Sequence, residues 1–388
     1  MNVHILLKRI AACSIGFIAA FSIVTCTAGE VMTQKRKYFS FHDLSYVING
    51  RYEIQKEYIS FSSSGVSFMF MQYEGECIIW IEDMAQDTLN CNWMQVLVND
   101  QPYSKLKLKP GKHAYHISAS EHKGAYITLV KATEPFVGEI KFYGLDLKEA
   151  PSQAFDVAHS FSIQFIGNSI TCGYGNMVSI KAPPAGNPLT GFHTENENAY
   201  ESYAMQAVRN LNAVPMLVCF SGKGMYRNFD SDTVETIPKI YDRIHLQDKN
   251  STTWDHTKQI PDIIVINLGT NDYYGESQNK PLNDSVFVQT YIQFVERLLG
   301  YYPEAKIVCV NGPMLRDEWP EGKKCWSRLQ ASIQKVEQHF KSKGNTNIYT
   351  FFFTPQSAPY GEDYHPSLAT HTKMAQELTT FIQTVVVK

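Results

Sequence analysis

The sequence predicts two unlike halves: an all-β sandwich of jelly-roll type, then an α/β half built on a doubly wound parallel sheet of five strands. Two patterns carry this expectation. From about Arg51 to Leu147 the chain reads as short, mostly alternating β runs separated by turn residues, with almost no helical periodicity. From Phe161 onward apolar runs alternate with amphipathic segments of helical period, the pattern of strands joined by helical crossovers. At 388 residues the chain has room for two cores of ordinary size. The expected boundaries are 1–28 for an export signal, 40–148 for the sandwich and 155–388 for the α/β half.

At the N-terminus, Lys8 and Arg9 precede an apolar run from Ile10 to Val24, too short for a spanning helix, and Cys26-Thr-Ala28 offers a small-residue cleavage site. A signal peptide, no transmembrane span and a secreted or periplasmic mature protein are therefore expected. Cys26 after Ile23-Val-Thr25 also resembles a bacterial lipoprotein site, although Thr25 suits it poorly, and lipid anchoring is the alternative.

Seven runs fill the sandwich: Tyr58–Ser62, Val66–Met71, Cys77–Ile81, Met94–Val98, His113–Ile117, Ala125–Val130 and Gly138–Gly144. Turn chemistry lies between them at Gly65, Asn99-Asp100, Pro110-Gly111 and Lys123-Gly124. Such a sandwich serves either as a sugar-binding module or as a structural partner, and fold alone does not decide. Lys148-Glu-Ala-Pro-Ser152 reads as a polar linker. Beyond it, strands are expected at Phe161–Ile166, Met216–Phe220, Ile263–Leu268, Lys306–Asn311 and Ile348–Phe353. Helices are expected at Tyr200–Leu211, Thr233–Ile244, Asp284–Tyr302, Lys324–Lys343 and Ser367–Val386.

A formal net charge of −3 supplies no basic field for nucleic acid. Charged residues are 19% of the chain and aromatics 13%, with 22 Tyr and 22 Phe, a balance that suits stacking on sugar rings, although most single aromatics belong to cores and strands. Of 8 cysteines, Cys13 and Cys26 lie in or near the signal, and none of the others forms a Cys-x-x-Cys pair, which argues against zinc. An oxidising compartment would permit a bridge such as Cys77 to Cys91.

Ligands of doubly wound sheets sit beyond the carboxyl ends of the strands. There this sequence places Gly167-Asn-Ser169, Ser221-Gly-Lys-Gly224, Gly269-Thr-Asn-Asp272, a loop with Trp319, and Gly361-Glu-Asp-Tyr-His-Pro366. A serine, two sets of hydrogen-bond donors and a histidine thus follow one another in the order Ser, Gly, Asn, His, which resembles the SGNH, or GDSL-like, hydrolases. A sandwich ending in Gly138-Glu-Ile-Lys-Phe-Tyr-Gly144, followed by Gly-Asn-Ser-Ile-Thr-Cys-Gly-Tyr-Gly, Ser-Gly-Lys-Gly-Met-Tyr-Arg-Asn and Asp-Tyr-His-Pro, is similar to the carbohydrate esterase family 2 acetylesterases. The resemblance extends over about Arg51 to Val387.

That resemblance implies roles. Ser169 is the expected nucleophile and His365 the base that takes its proton and returns it to the leaving hydroxyl. The N–H of Ser169, the N–H of Gly222 and the side-chain amide of Asn271 are the expected oxyanion donors, with Gly224 a rival for Gly222. SGNH enzymes commonly orient the imidazole with an aspartate three residues ahead, where this sequence has Glu362. Asp363 lies two ahead, family 2 esterases can use a backbone carbonyl instead, and Asp363 is the residue assigned here. Asn168 replaces the common aspartate of Gly-Asp-Ser. Tyr364, Trp319 and Tyr226 are candidate sugar-contacting aromatics, with packing as the plain alternative.

No metal or cofactor is expected: the chain has no His-Glu-x-x-His, and Asp363-Tyr-His365 offers too few ligands for zinc. Asp230-x-Asp232 reads as a helix cap region rather than a calcium site. The irregular stretch from Asn176 to Asn198, rich in Pro and Gly, is expected to wall the cleft. The implied function is a secreted carbohydrate O-acetylesterase acting as a monomer on acetylated polysaccharide or oligosaccharide such as xylan or glucomannan. The alternatives are a glycan-binding protein with a vestigial esterase site and an SGNH esterase of other acyl specificity.

Overall fold

The computed structural model describes residues 36–72, 76–118, 124–148, 161–181 and 190–387. The signal segment with Cys13 and Cys26, Lys123, linker residues 149–152 and the stretch Pro183–Pro188 lie outside the described residues. From Arg36 onward the chain is one compact unit.

The first half contains β1 (Lys37–Ser40), β2 (Tyr46–Asn49), β3 (Glu53–Ile54), β4 (Ile59–Phe61), β5 (Ser67–Gln72), β6 (Glu76–Asp83), β7 (Trp93–Val98), β8 (Gln101–Lys107), β9 (Gly111–Ser118), β10 (Ala125–Lys131) and β11 (Ile140–Leu147). One sheet runs β3-β4-β11-β6-β9 with β1 also on β11; the other runs β2-β5-β10-β7-β8. Alternation drives the packing: Cys77, Ile79 and Ile81 of β6 are buried while Ile78 and Trp80 between them are half-exposed. Phe68 of one sheet meets Phe142 of the other across the core at 4.2 Å between ring centroids. The seven expected runs are all strands. Four strands are unexpected: β2, β3 and β8 are sheet edges and β1 adds to β11, and β8, with Pro102, pairs only with β7 and is mostly exposed, so it carries no apolar alternation.

The second half contains β12 (Ser162–Gly167), α1 (Ser169–Cys172), α2 (Tyr203–Leu211), β13 (Val214–Cys219), α3 (Ile237–Ile240), β14 (Ile263–Asn267), α4 (Thr270–Tyr274), α5 (Asp284–Tyr301), β15 (Lys306–Asn311), α6 (Cys325–Ser342), β16 (Ile348–Phe352) and α7 (Leu368–Phe381). Its five strands are parallel in the order β13-β12-β14-β15-β16. On one face α5 and α6 set Phe287, Tyr291, Leu298, Leu329, Ile333 and Val336 against Ile264, Ile266 and Ile307. On the other, α2 and α7 cover Ile163, Phe165 and Val265, and that core takes in Leu97 and Val130 of the sandwich.

Two expectations are corrected. The helix over Thr233–Ile244 is only the single turn α3, because Ile237 N–H donates to Gly224 O at 3.0 Å, Pro238 sits in the first turn, and the carbonyls of Tyr241 and Arg243 accept the Arg51 guanidinium instead of helical N–H groups. Asp230 and Asp232 accordingly cap turns, accepting the N–H of Asp232 and Val234. The six cysteines of the described residues are all free and buried, so Cys77 and Cys91 form no bridge. Among the described residues no helix is long and apolar enough to cross a membrane.

Candidate active site

Gly167 of β12 pairs with Cys219 of β13 on one side and Asn267 of β14 on the other. Three loops therefore leave the sheet side by side, with β12 in the middle where the strand order reverses, the place where such sheets bind ligands. Asn168 caps α1 through its Oδ1, which accepts Ile170 N–H at 3.2 Å, and Ser169 begins the helix, 7% exposed. Among the described residues the N–H groups of Ser169 and Gly222 have no acceptor.

The loop after β13 is held from beneath. Asp272 is fully buried and accepts the N–H groups of Met225, Tyr226 and Arg227 at 2.9, 2.7 and 2.9 Å. Burial raises its carboxyl above the usual range against those three donors. Gly222 adopts φ +76°, and a Cβ there would lie 2.9 Å from the Phe229 ring, so glycine is required twice over. The Asn271 amide donates one of its two hydrogens to Lys223 O at 2.8 Å, which ties the two loops that carry the expected oxyanion donors.

His365 arrives from the loop after β16. Its Nε2 lies 2.8 Å from Ser169 Oγ, and its Nδ1 lies 3.0 Å from Glu362 O. The serine and histidine turns are packed directly together: Glu362 N–H donates to Gly175 O at 3.1 Å, and a Cβ on Gly175 would sit 2.4 Å from Glu362 Cβ. Tyr174 stacks on the imidazole at 4.1 Å between centroids. Burial, opposed by the Glu362 carbonyl and the nearby Asp363 charge, drops the pKa of His365 to about 4, so the ring is a neutral base near pH 7.

Asp363 does not occupy the orienting position expected of it. Its carboxylate accepts Tyr174 OH at 2.6 Å, Thr190 N–H at 2.7 Å and Gly191 N–H at 2.9 Å, and these bonds outweigh burial to keep it below the usual carboxylate range. Asp363 and Tyr364 adopt φ +48° and +61°, which swings the Asp363 side chain away and brings the Glu362 carbonyl under the ring. The Glu362 carboxylate is buried and accepts His193 Nδ1 and Asn196 Nδ2, each at 2.7 Å.

Trp319 and Tyr364 are exposed on loops beyond the strand ends, at 57% and 36%, with Tyr274 and Tyr360 as ring neighbours. Tyr226 is half-buried, with part of its ring packed against the core. Sequence reasoning missed Tyr174, which lies inside the quoted Gly-Tyr-Gly run, and Glu134, a sandwich residue whose carboxylate accepts both Ser221 N–H and Ser221 Oγ–H. One ligand atom from each of Glu134, Cys172 and Glu197 lies within 4.8 Å of the others. Main-chain N–H groups of Ser221 and Glu134 each take one oxygen of the two carboxylates, Glu197 Oε1 keeps no partner among the described residues, and the buried Lys131 ammonium supplies the positive charge beside them.

A serine and a neutral imidazole in contact beyond the ends of a doubly wound sheet, beside uncommitted main-chain donors, define a serine hydrolase of the SGNH, or GDSL-like, class. The GDSL-like Lipase/Acylhydrolase family model matches residues 165–373, and the Carbohydrate esterase 2 N-terminal model matches residues 48–153. The chain belongs to that GDSL-like family and, within it, to carbohydrate esterase family 2.

The chain is 32% identical over 342 residues to the cellulase/esterase CelE of Acetivibrio thermocellus, a match that covers 86% of this chain but only 39% of that protein. It is 27% identical over 292 residues to an acetylxylan esterase / glucomannan deacetylase of Cellvibrio japonicus, covering 74% and 75% of the two chains. The solved structure of a family two carbohydrate esterase from Clostridium thermocellum in complex with cellohexaose matches at TM-score 0.77 and 30% identity, over 87% of this chain and 98% of the other.

Proposed function

We propose that this chain removes O-acetyl groups from plant polysaccharides of the xylan and glucomannan type through an acetyl-serine intermediate, with 40–148 as the sandwich and 155–388 as the hydrolase half. The observation that carries the reading is the 2.8 Å contact between His365 Nε2 and Ser169 Oγ beside the two free N–H groups. As Ser169 Oγ attacks the acetyl carbonyl, His365 takes its proton. The N–H groups of Ser169 and Gly222, with the Asn271 amide, receive the negative charge that develops on the carbonyl oxygen. Collapse breaks the bond to the sugar oxygen, which leaves with the proton from His365. Water, deprotonated by the same ring, then releases acetate and restores Ser169.

The substrate class follows from the deacetylase and esterase names of the relatives and from the exposed faces of Trp319 and Tyr364, flat surfaces that can cover the apolar side of a pyranose. Export follows from the charged and apolar pattern of residues 8–28. The direct test is acetate release from acetylated xylan and glucomannan by the parent and by Ser169→Ala. Release from the parent that the variant lacks is expected, and undiminished release by the variant would defeat the reading. The cellohexaose complex of the relative favours one second reading, a glycan binder without hydrolysis, which predicts retention on polysaccharide with no acetate from the parent.

A further inference from the structure

We infer that Glu134, a residue of the sandwich, is the positioning residue for the oxyanion donor Gly222. The inference rests on the hydrolase reading above. Glu134 lies in the loop between β10 and β11, 0% exposed and 87 residues before Ser221. Its Oε2 accepts Ser221 N–H at 2.8 Å and its Oε1 accepts the Ser221 hydroxyl. Two bonds from one residue to one planar carboxylate leave Ser221 little rotational freedom, and the very next peptide carries the Gly222 N–H. On the far side, Gly222 O accepts Phe229 N–H at 2.9 Å, and Lys223 O accepts the Asn271 amide. The free N–H is therefore aimed by anchors before and after it.

Glu134 is itself clamped. Its N–H donates to Glu197 Oε2 at 3.0 Å, and its carbonyl accepts Lys131 Nζ at 3.2 Å; Lys131 Nζ also donates to Thr133 O at 2.8 Å. Glu197 and Lys131 are both fully buried. Two residues on, Phe136 packs on Phe220 at 6.2 Å and on Phe192 at 4.9 Å, so the same turn presses against the strand end that delivers the loop. Burial pushes the Glu134 carboxyl up to about 7 against the pull of Ser221, Glu197 and Lys131. An acceptor that costly to desolvate keeps its place only with its donors in place, and two of them belong to the residue preceding Gly222.

A group that aims an oxyanion donor acts where charge develops, so its loss lowers kcat and leaves KM nearly unchanged, a split that a merely structural anchor does not produce. Losing an oxyanion donor outright costs about 10²–10³ in turnover, and displacing one should cost about 10–10². The experiment is steady-state hydrolysis of 4-nitrophenyl acetate by the parent, Glu134→Ala and Glu134→Gln, each assayed well below its own thermal midpoint. Glutamine can accept Ser221 N–H with Oε1 and donate to Ser221 Oγ with Nε2, which preserves both bonds.

The expected result is a kcat for Glu134→Ala lower by about 10–10² at a KM within about threefold, with Glu134→Gln restored to within about fivefold of the parent. A kcat for Glu134→Ala within twofold of the parent, a loss confined to KM, or no rescue by glutamine would overturn the inference. If Glu134→Ala does not fold, Ser221→Ala decides: it removes one of the two bonds and should lower kcat several-fold, and an unchanged kcat counts against the inference. A parent without Ser169-dependent turnover would end the hydrolase reading and the inference with it, whereas a competent parent with an indifferent Glu134 ends the inference alone.

Discussion

His365 is held by the main chain of Glu362, its Nδ1 at 3.0 Å from that carbonyl oxygen while Nε2 faces Ser169 Oγ at 2.8 Å. A carbonyl can only accept, so it keeps the proton on Nδ1 and leaves Nε2 free as the base, the task that a buried aspartate performs in a Ser-His-Asp triad.

The pair should therefore work as a dyad. In a triad, aspartate to asparagine costs about 10⁴ in kcat because it permits the wrong tautomer. Here Asp363→Asn and Glu362→Gln should each keep kcat within about tenfold, since neither carboxylate touches the imidazole, whereas Ser169→Ala should lose about 10³ or more. Initial rates on an acetyl ester decide it. A loss near 10⁴ for Asp363→Asn alone would return the orienting role to that carboxylate.

The acid limb of activity should lie low. The base must be neutral to accept the serine proton, and burial holds His365 at about 4. Activity is then present above that value and lost as pH falls through it, so kcat/KM should halve near pH 4 rather than near the unperturbed imidazole value of about 6.5. A pH profile of kcat/KM on a substrate without ionisable groups checks this.

Stability carries a second histidine signature. His371 on α7 is fully buried, its Nδ1 accepts Tyr203 N–H at 3.0 Å, and burial, with a smaller push from His365, lowers its pKa to about 3. The folded protein keeps this ring neutral while the unfolded chain protonates it near 6.5. The unfolded state thus binds more protons between those values, and stability falls as pH drops through that window, by at most about 1.4 kcal/mol per unit. His371→Gln, which can still accept from Tyr203, should flatten the dependence of the urea midpoint between pH 6.5 and the acid limit.

Polysaccharide should feel the exposed aromatics and a small ester should not. Trp319→Ala and Tyr364→Ala remove exposed flat surfaces, so KM for acetylated glucomannan should rise by about three- to tenfold while kcat/KM for 4-nitrophenyl acetate stays within about twofold. Equal losses on both substrates would make these side chains part of the framework.

How much of this was legible follows the range of the interactions. The run from Phe161 to Gly175 announces a strand, a sharp turn and a serine because alternation and glycine placement are local, and the strands Lys306–Asn311 and Ile263–Asn267 are readable for the same reason. The backbone carbonyl that holds His365 enters the sequence only through the family resemblance, because a carbonyl has no side chain to read, and the left-handed turn at Asp363 and Tyr364 that presents it is a property of the fold. Glu134 is harder still. Thr133-Glu-Pro-Phe136 looks like an ordinary loop, and its meaning depends on contacts with Ser221 and Glu197 made across the join between the halves. The Thr233–Ile244 segment has helical periodicity yet folds otherwise because Arg51, far away in sequence, takes its carbonyls.

That arginine supports the last prediction. Arg51 is 0% exposed, donates to Tyr241 O and to Arg243 O at 2.9 Å, and has its guanidinium 4.7 Å from the Tyr241 ring centroid. It enters from the sandwich and ends among α/β residues, where Leu97 and Val130 also join the second core. Arg51→Met keeps most of the apolar stem but strips the donors from two carbonyls, at about 1–3 kcal/mol each when buried; removal of the unpartnered Nε and Nη2 offsets part of that sum of about 2–6, so a net loss of about 2–4 kcal/mol is expected. Because that loss is felt by both halves, urea unfolding followed by tryptophan fluorescence and by far-ultraviolet circular dichroism should stay coincident in the parent and in the variant, with the midpoint moved down. Two separated transitions in the parent would mean that the halves fold independently and that the buried guanidinium joins bodies already stable alone.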